Sequence, residues 1–377
     1  MKFNTKKARR NLFLKTMEQQ LYSSIIGSGS YIPTHRVVNE DFMGNVFYDP
    51  DGVRLEKMND VIIHQFEQIT GIRERRYVTD DLVASDIAFY AAKEALESAA
   101  IDGETLDYII VAHNFGDISA ANPRSEFVPT LASRVKHRLG INNPDTIAYD
   151  LPFGCAGWLQ GVIQADFYIR SGSARKIMVI GTETLSRICD PHDRDSMIYA
   201  DGAGAVILSG TEREEPVGIM AHCTQSYAGE AAYLLQMGKS SNPDYGSDRL
   251  FLKMQGRKLY EQVLKIVPEA IRKCISKAGL SILDIDQVLI HQANNKMDEA
   301  ILRKLFDLYD IKQVPDYVMP MTISWLGNSS VATLPTLYDL FTKGKIENHV
   351  MKKGSHIVFA AVGAGVNVNA VIYKIPG

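Results

Sequence analysis

The sequence predicts an α/β protein built from two similar halves, and three observations lead to this prediction. Segments 107–112 (DYIIVA) and 286–291 (DQVLIH) are offset by 179 residues, as are 177–180 (IMVI) and 356–359 (HIVF). These short β-branched runs alternate with helical stretches, as they do in parallel sheets covered by crossover helices. The length of 377 residues fits two or three domains, or one large α/β unit.

The repeat also includes the helices that precede the first pair of strands. Segments 93–101 (KEALESAAI) and 272–280 (RKCISKAGL) both have the pattern of an amphipathic helix end. Two coincident offsets favour duplication, and chance similarity of two helix–strand units is the alternative. We expect one half at 20–212 and the other at 216–377, joined through the linker-like residues 211–216 (TEREEP).

Composition and charge exclude several classes of protein. Apolar residues make up 46% of the chain and charged residues 23%, which is typical of a globular protein. The formal charge is −3, so the whole molecule lacks the cationic field that general nucleic-acid or anionic-membrane binding requires. Residues 1–19 form a basic arm whose apolar run, 12–14, is too short for a signal peptide, and we expect no membrane span.

The cysteines predict neither a disulfide scaffold nor a metal site. None of the four falls in a CxxC pair, which fits a reducing cytoplasm: Cys155, Cys189, Cys223 and Cys274. The segment 189–193 (CDPHD) has metal-capable side chains, but no second cluster completes four ligands. Residues 27–32 (GSGSYI) lack the third glycine of a dinucleotide-binding fingerprint.

Cys155 is the candidate nucleophile. Its motif, 154–157 (GCAG), lies between an extended stretch, 146–151, and a helical stretch from about Trp158 to Ile169. Backbone N–H groups and the helix dipole at such a turn favour the thiolate over the thiol. The alternative is that Cys155 is a small buried hydrophobic residue.

Three further segments contain candidate site residues. His291 follows an apolar strand, so its ring is expected at the carboxyl edge of a sheet, where α/β folds place their sites. Asn328 lies in a glycine-flanked turn before a helical stretch, and the loop 362–365 (VGAG) allows close approach of backbone N–H groups. Taken singly, each has an ordinary structural explanation: a satisfied core histidine, a turn asparagine and a tight turn.

Taken together and in order, the motifs resemble one family. The set is 154–157 (GCAG), 201–205 (DGAGA), 291–294 (HQAN) and 327–330 (GNSS), with 25–33 (IIGSGSYIP) and 70–75 (TGIRER) before it. This set resembles the β-ketoacyl-acyl-carrier-protein synthase III group of the thiolase superfamily. The resemblance implies a duplicated thiolase fold in five layers, α/β/α/β/α.

The resemblance also implies a reaction, a decarboxylative Claisen condensation. Cys155 would accept the acyl group, while a neutral His291 and Asn328 would hydrogen-bond the thioester carbonyl of a malonyl extender. Two neutral donors stabilise the enolate that forms when CO₂ leaves. The backbone N–H groups of Cys155 and Ala364 would meet the tetrahedral oxyanion. No cofactor is implied, because the substrates bring their own phosphopantetheine.

The implied partners are an acyl carrier protein, acyl thioesters, and malonyl or β-ketoacyl thioesters. Family pantetheine or phosphate positions are occupied by Arg194, Gly256, Arg257, Asn294 and Lys296. Lys296, Arg303 and Lys304 would form a basic rim for an acidic carrier, and a solvated helix face is the alternative explanation. The family also pairs two chains, so we expect a homodimer.

The sequence departs from the family pattern at the entrance and the acyl pocket. Gln65 and Ile69 stand where relatives have a tryptophan and an arginine that sandwich adenine, which argues against coenzyme A as the donor. An apparent insertion, 44–60, and the segment 113–117 (HNFGD) are expected to reshape the pocket. We therefore expect a product of fatty acid synthesis or of a specialised lipid or polyketide pathway.

Alternative functions remain open at this stage. One is a thioester or amide hydrolase that uses Cys155 with His291 as its base. Another is the non-decarboxylative joining of two acyl chains into a dialkylresorcinol-type product. A third is a catalytically silent carrier-binding subunit, against which the intact Cys155, His291 and Asn328 argue.

Overall fold

The computed structural model describes residues 20–377, so the predicted basic arm at 1–19 lies outside the described residues. The strands are β1 (Gln20–Tyr31), β2 (His35–Val38), β3 (Glu74–Tyr77), β4 (Tyr108–Ala112), β5 (Ile147–Leu151), β6 (Lys176–Thr184), β7 (Asp201–Arg213), β8 (Gly218–Ser226), β9 (Leu235–Gly238), β10 (Phe251–Met254), β11 (Gln287–Ile290), β12 (His356–Gly363) and β13 (Asn367–Lys374). The helices of eight or more residues are α1 (Asn59–Thr70), α2 (Ala84–Ala99), α3 (Leu131–Arg138), α4 (Gly157–Arg170), α5 (Gly256–Lys277), α6 (Asn295–Asp307) and α7 (Thr333–Thr342).

Two sheets repeat the same strand order. The first sheet runs β1-β7-β6-β4-β5, and the second runs β8-β13-β12-β11. In both, the first two pairings are antiparallel and the next is parallel. The offset of 179 residues maps the start of β4 onto that of β11, which is the duplication that the sequence indicated. The expectation of parallel sheets was partly wrong, because β7 and β13 each run antiparallel to both of their neighbours.

The layers follow from where the buried apolar residues lie. One cluster packs α2 and α3 on the outer face of the first sheet, and a second packs α5 and α6 on the outer face of the second sheet. A third cluster lies between the sheets and includes Trp158 and Leu159 of α4 together with Leu337 of α7. The chain therefore forms five layers, α/β/α/β/α, with α4 and α7 in the middle.

The two halves meet at a short connection and share the central layer. β7 ends at Arg213 and β8 begins at Gly218, so the proposed boundary near 212–216 falls between them. Of the segment 27–32, which lacks the third glycine of a dinucleotide-binding fingerprint, residues 27–31 lie inside β1 rather than in a loop. Among residues 20–377, no helix is long and apolar enough to cross a membrane.

A small hairpin and the 44–60 segment pack over the carboxyl ends of the strands. The hairpin pairs β9 with β10, and the loop that joins them is held by Asp190, which accepts from Ser240 Oγ at 2.9 Å and from the Ser241 N–H at 2.7 Å. In the 44–60 segment, Phe47 is buried in the same apolar cluster as Phe66 of α1. The segment is therefore an ordered part of the fold.

Candidate active site

A cavity of about 720 Å³ opens at the carboxyl ends of the strands. Its lining is mainly apolar and comes from α1, the β9–β10 hairpin and the start of α5, including Phe66, Leu235, Met254 and Leu259. Seven of the predicted site residues line it: Cys155, Arg194, Gly256, Asn294, His291, Asn328 and Ala364. Residues far apart in the sequence and from both halves therefore meet in one cavity.

Cys155 sits where the sequence predicted, at a strand-to-helix turn. β5 ends at Leu151, a 3-10 turn spans Gly154–Ala156, and α4 begins at Gly157. Its sulfur accepts a hydrogen bond from Ser330 Oγ at 3.2 Å. Among the described residues, no hydrogen bond joins Cys155 to His291, so the histidine is not placed as a base against the thiol.

The protonation state of Cys155 differs from the sequence expectation. Burial raises the pKa of the thiol to about 11, and the charge of Glu183 adds to this effect while the Ser330 hydrogen bond opposes it. A helix N-terminus stabilises an anion by at most about 2 kcal/mol, or about 1.5 pKa units, which does not offset such burial. The free enzyme therefore holds a thiol rather than the expected thiolate.

His291 and Asn328 present neutral hydrogen-bonding groups to the cavity. Burial lowers the pKa of His291 to about 4, so the imidazole is neutral near pH 7. Its Nδ1 has no hydrogen-bond partner among residues 20–377. Asn328 Oδ1 accepts from the Ser330 N–H at 2.8 Å, which fixes the amide and leaves Nδ2 as the free donor. The pair is suited to binding a carbonyl oxygen or an enolate.

The backbone around Ala364 comes very close to the Cys155 turn. Gly154 has a φ of +63°, and a Cβ placed on it would lie 2.6 Å from Ala364 N. A Cβ on Gly363 would lie 2.3 Å from Cys155 N. Two glycines thus allow the backbone segments that carry the Cys155 and Ala364 N–H groups to approach closely, which an oxyanion hole formed by these two groups requires.

The predicted binding residues divide between the cavity mouth and the outer surface. Arg194 lies 3.7 Å from Asp195, while the side chain of Asn294 is engaged in capping α6, accepting from the Met297 N–H at 3.1 Å. Gln65 and Ile69, which stand in place of the adenine clamp, also line the cavity.

Four other predicted residues do not line the cavity. Arg257 is 92% exposed and pairs with Glu261. Lys296, Arg303 and Lys304 are exposed on α6, spaced at seven and eight residues so that they share one helix face. The three cations therefore form a surface rim beside the site, separate from the residues that touch the cavity.

Two residues that sequence reasoning did not single out lie beside the nucleophile. Ser330 is the last residue of the 327–330 motif, and its hydroxyl contacts the sulfur. Glu183 is 1% exposed in the apolar strand β6, and burial raises the pKa of its carboxyl to about 7. An acidic residue inside a buried strand was the available sequence signal.

The cysteine and histidine of segment 189–193 have structural partners. Cys189 Sγ contacts the backbone oxygen of Leu185 at 3.2 Å, and His192 Nδ1 lies 2.9 Å from the backbone oxygen of Val46. Within residues 20–377, no group of three or more His, Cys, Asp or Glu side chains is arranged to hold a metal ion.

Comparison with known proteins identifies the family that this geometry fits. The family model of 3-oxoacyl-[acyl-carrier-protein] synthase III matches residues 149–227, and the model of its C-terminal domain matches residues 275–375. Among solved structures, the 3-oxoacyl-[acyl-carrier-protein] synthase III of Aquifex aeolicus VF5 is 29% identical with a TM-score of 0.74, over 93% of this chain and 99% of that one.

Two further structures extend the comparison to specialised pathways. The priming β-ketosynthase from the R1128 polyketide biosynthetic pathway is 25% identical with a TM-score of 0.76, over 95% of this chain and 97% of that one. Xanthomonas campestris OleA with bound cerulenin is 18% identical with a TM-score of 0.72, over 94% of this chain and 98% of that one. At that identity, OleA shows a shared fold alone.

Proposed function

Because the chain belongs to the 3-oxoacyl-[acyl-carrier-protein] synthase III family of condensing acyltransferases, we propose that it joins an acyl group to a malonyl unit held on a carrier protein. The observation that supports this most strongly is the composition of the cavity. Cys155 lies in the same cavity as two neutral donor groups, those of His291 and Asn328. A hydrolase would instead need the histidine bonded to the cysteine as its base.

The first half-reaction transfers the acyl group. The Cys155 sulfur attacks the thioester carbonyl, and the tetrahedral oxyanion binds the N–H groups of Cys155 and Ala364. The carrier thiol then leaves with the proton that Cys155 gives up. The products are acyl-Cys155 and a free carrier thiol.

The second half-reaction uses the donors on the other side of the cavity. The malonyl carboxylate leaves as CO₂, and its bonding electrons form an enolate whose oxygen is held by His291 and Asn328 Nδ2. The enolate carbon attacks acyl-Cys155, so that a carbon–carbon bond forms and the carbon–sulfur bond breaks. One proton from solvent restores the Cys155 thiol, and a β-ketoacyl carrier is released.

We propose an acyl carrier protein as the macromolecular partner. The exposed cations of α6, Lys296, Arg303 and Lys304, match the acidic surface of such a carrier. Arg194 and Gly256 at the cavity mouth would contact the pantetheine arm or its phosphate. No resident cofactor is required by either half-reaction, so dialysis against a chelator is expected to leave the rate unchanged.

We further propose a homodimer that works in the cytoplasm. β5 is an edge strand of the first sheet, and exposed edges are commonly covered by a second copy. The four cysteines are free, which fits a reducing compartment. Sedimentation should give twice 41.9 kDa at micromolar concentration, and a monomer would contradict the pairing.

The experiment that tests the proposed reaction supplies acyl-carrier protein with and without malonyl-carrier protein. We expect a β-ketoacyl carrier and one CO₂ per product, formed only when both carriers are present. Release of free fatty acid in the absence of malonyl-carrier would indicate the hydrolase. A condensed product without CO₂ from two acyl or β-ketoacyl donors would indicate non-decarboxylative joining, and either result would contradict the proposal.

A further inference from the structure

A chain of hydrogen bonds joins a buried carboxylate to the nucleophile. Glu183 Oε1 accepts from the backbone N–H of Asn114 at 2.5 Å and from its side-chain Nδ2 at 2.7 Å. Asn114 Nδ2 also donates to Ser330 Oγ at 3.3 Å, and Ser330 Oγ donates to Cys155 Sγ at 3.2 Å. The four residues come from both halves of the fold and meet beside the reacting sulfur.

The chain has a direction that follows from the chemistry of its groups. Glu183 Oε1 accepts from the Asn114 backbone N–H, so this oxygen acts as an acceptor and the donor end of the Asn114 amide faces it. The second hydrogen of that amide nitrogen then occupies a lone pair of Ser330 Oγ. The Ser330 hydroxyl hydrogen is left to point at the Cys155 sulfur, where a donor stabilises the thiolate form.

The backbone of Ser330 adopts an unusual conformation that its neighbours hold in place. Its φ is +54°, in the left-handed region that residues other than glycine seldom adopt. This conformation brings the Ser330 N–H within 2.8 Å of Asn328 Oδ1. One residue therefore holds both the nucleophile and the amide of the donor pair.

We infer that Ser330 activates Cys155 by donating its hydroxyl hydrogen to the sulfur, and that Asn114 is a positioning residue that sets the direction of this hydrogen bond. The inference rests on the proposed function, because it concerns the nucleophile of that reaction. The buried thiol needs such help, since its pKa is raised by burial and by the charge of Glu183. The Ser330 hydrogen bond lowers this pKa, and a backbone hydrogen bond lowers it to a smaller extent.

The charges near Glu183 are those of His113 and Asp201, which act on its carboxyl in opposite directions. His113 Nε2 lies 2.9 Å from Asp150, and Asp201 accepts from Ser186 Oγ at 2.6 Å. Among the described residues, neither His113 nor Asp201 is hydrogen-bonded to Ser330. Substitutions at Ser330 therefore change the hydrogen bond to sulfur and leave these charged groups in place.

The test measures the rate at which iodoacetamide alkylates the Cys155 peptide, followed by mass spectrometry between pH 7 and 9.5. Ser330→Ala and Ser330→Gly should both react about tenfold more slowly throughout, as expected for a thiol pKa about one unit higher. The glycine variant relieves the left-handed backbone and the alanine variant does not, so a shared effect belongs to the hydroxyl. Ser329→Ala is the matched control, because the Ser329 hydroxyl contacts Thr333 instead.

Asn114→Leu tests the positioning step, because leucine keeps the volume and removes the donor. We expect alkylation about threefold slower than in the unmodified enzyme. An unchanged rate in both Ser330 variants, or an equal loss in Ser329→Ala, would overturn the role of Ser330, and an unchanged rate in Asn114→Leu would overturn that of Asn114. The assay uses no thioester, so its failure is distinct from a failure of the proposed condensation.

Discussion

The two halves of the fold use the same turn for different purposes. Before the central helix of the first half, the 3-10 turn Gly154–Ala156 has Cys155 at its middle position. Before the central helix of the second half, the turn Ser330–Ala332 has the buried Val331 at its middle position. Both halves therefore place a 3-10 turn before the central helix, while the reactive side chain is present in one of the two turns only.

The ends of the equivalent strands differ in the same way. Glu183 in β6 and Val362 in β12 are related by the offset of 179 residues. The first half thus supplies the thiol and a buried carboxylate, and the second supplies His291 and Asn328 as neutral donors. The nucleophile therefore belongs to the first half and the donor pair for the enolate to the second, while Ala364 and Ser330 of the second half also assist acylation. Variants of Cys155 and variants of the donor pair should abolish acylation and decarboxylation separately.

The largest effect is expected from removing the donors of the second half. His291→Ala combined with Asn328→Ala should lower malonyl decarboxylation by at least about 10³-fold, because each oxyanion donor contributes about 10²–10³ in rate. Acylation of Cys155 should persist in this variant. The measurements are CO₂ release from malonyl-carrier protein and the mass of the Cys155 peptide, and loss of acylation along with decarboxylation would contradict the division.

A smaller effect on catalysis is expected from disturbing the contact between Gly154 of the first half and Ala364 of the second. Gly154→Ala places a Cβ against Ala364 N and should slow acylation about 100-fold by displacing one oxyanion donor. Gly172→Ala is the matched control, because Gly172 has a similar φ of +76° with open space around its Cβ position. Both should lose about 1–2 kcal/mol of unfolding free energy from the left-handed backbone. Equal acylation rates in the two variants would contradict the contact.

The residues at the cavity entrance are expected to change the efficiency of Cys155 acylation about tenfold between two acyl donors. Gln65 and Ile69 cannot stack on adenine, so single-turnover acylation of Cys155 should be about tenfold more efficient with acyl-carrier protein than with the same acyl-coenzyme A. The advantage should fall with rising salt, because Lys296, Arg303 and Lys304 are exposed. Equal efficiency with both donors, or indifference to salt, would contradict this account of the entrance.

The smallest effect is the one that we expect a change of pH to have on the charge of His291. Its pKa is lowered to about 4 by burial, so the ring stays neutral as pH falls from 8 to 5.5 and takes up a proton only on approach to pH 4. The His291 resonance, identified by its loss in His291→Gln, should therefore not shift across that range. A titration with a midpoint near 6.5 would show that the ring is solvated.

Much of this arrangement was accessible from sequence. The 179-residue offset identified β4 with β11 and β6 with β12, because buried parallel strands leave short apolar runs that survive duplication. The motif order selected Cys155, His291 and Asn328, all three of which line the cavity.

Other features of the site and the fold depend on contacts between residues that are far apart in the sequence. The raised pKa of Cys155 could not be predicted because burial is set by elements that are distant in sequence, including β12 and the 3-10 turn Ser330–Ala332. The Ser330 contact joins residues 175 positions apart. Antiparallel pairing of β1 and β7 was missed because a repeat reveals where strands lie and not which way they run.

The most direct test of the division between the halves is Cys155→Ala, incubated separately with acyl-carrier protein and with malonyl-carrier protein. The account predicts no acyl adduct in the first sample and continued CO₂ release in the second, because His291 and Asn328 are unchanged. An adduct on Cys189, Cys223 or Cys274, or loss of decarboxylation in a variant that remains folded, would contradict it.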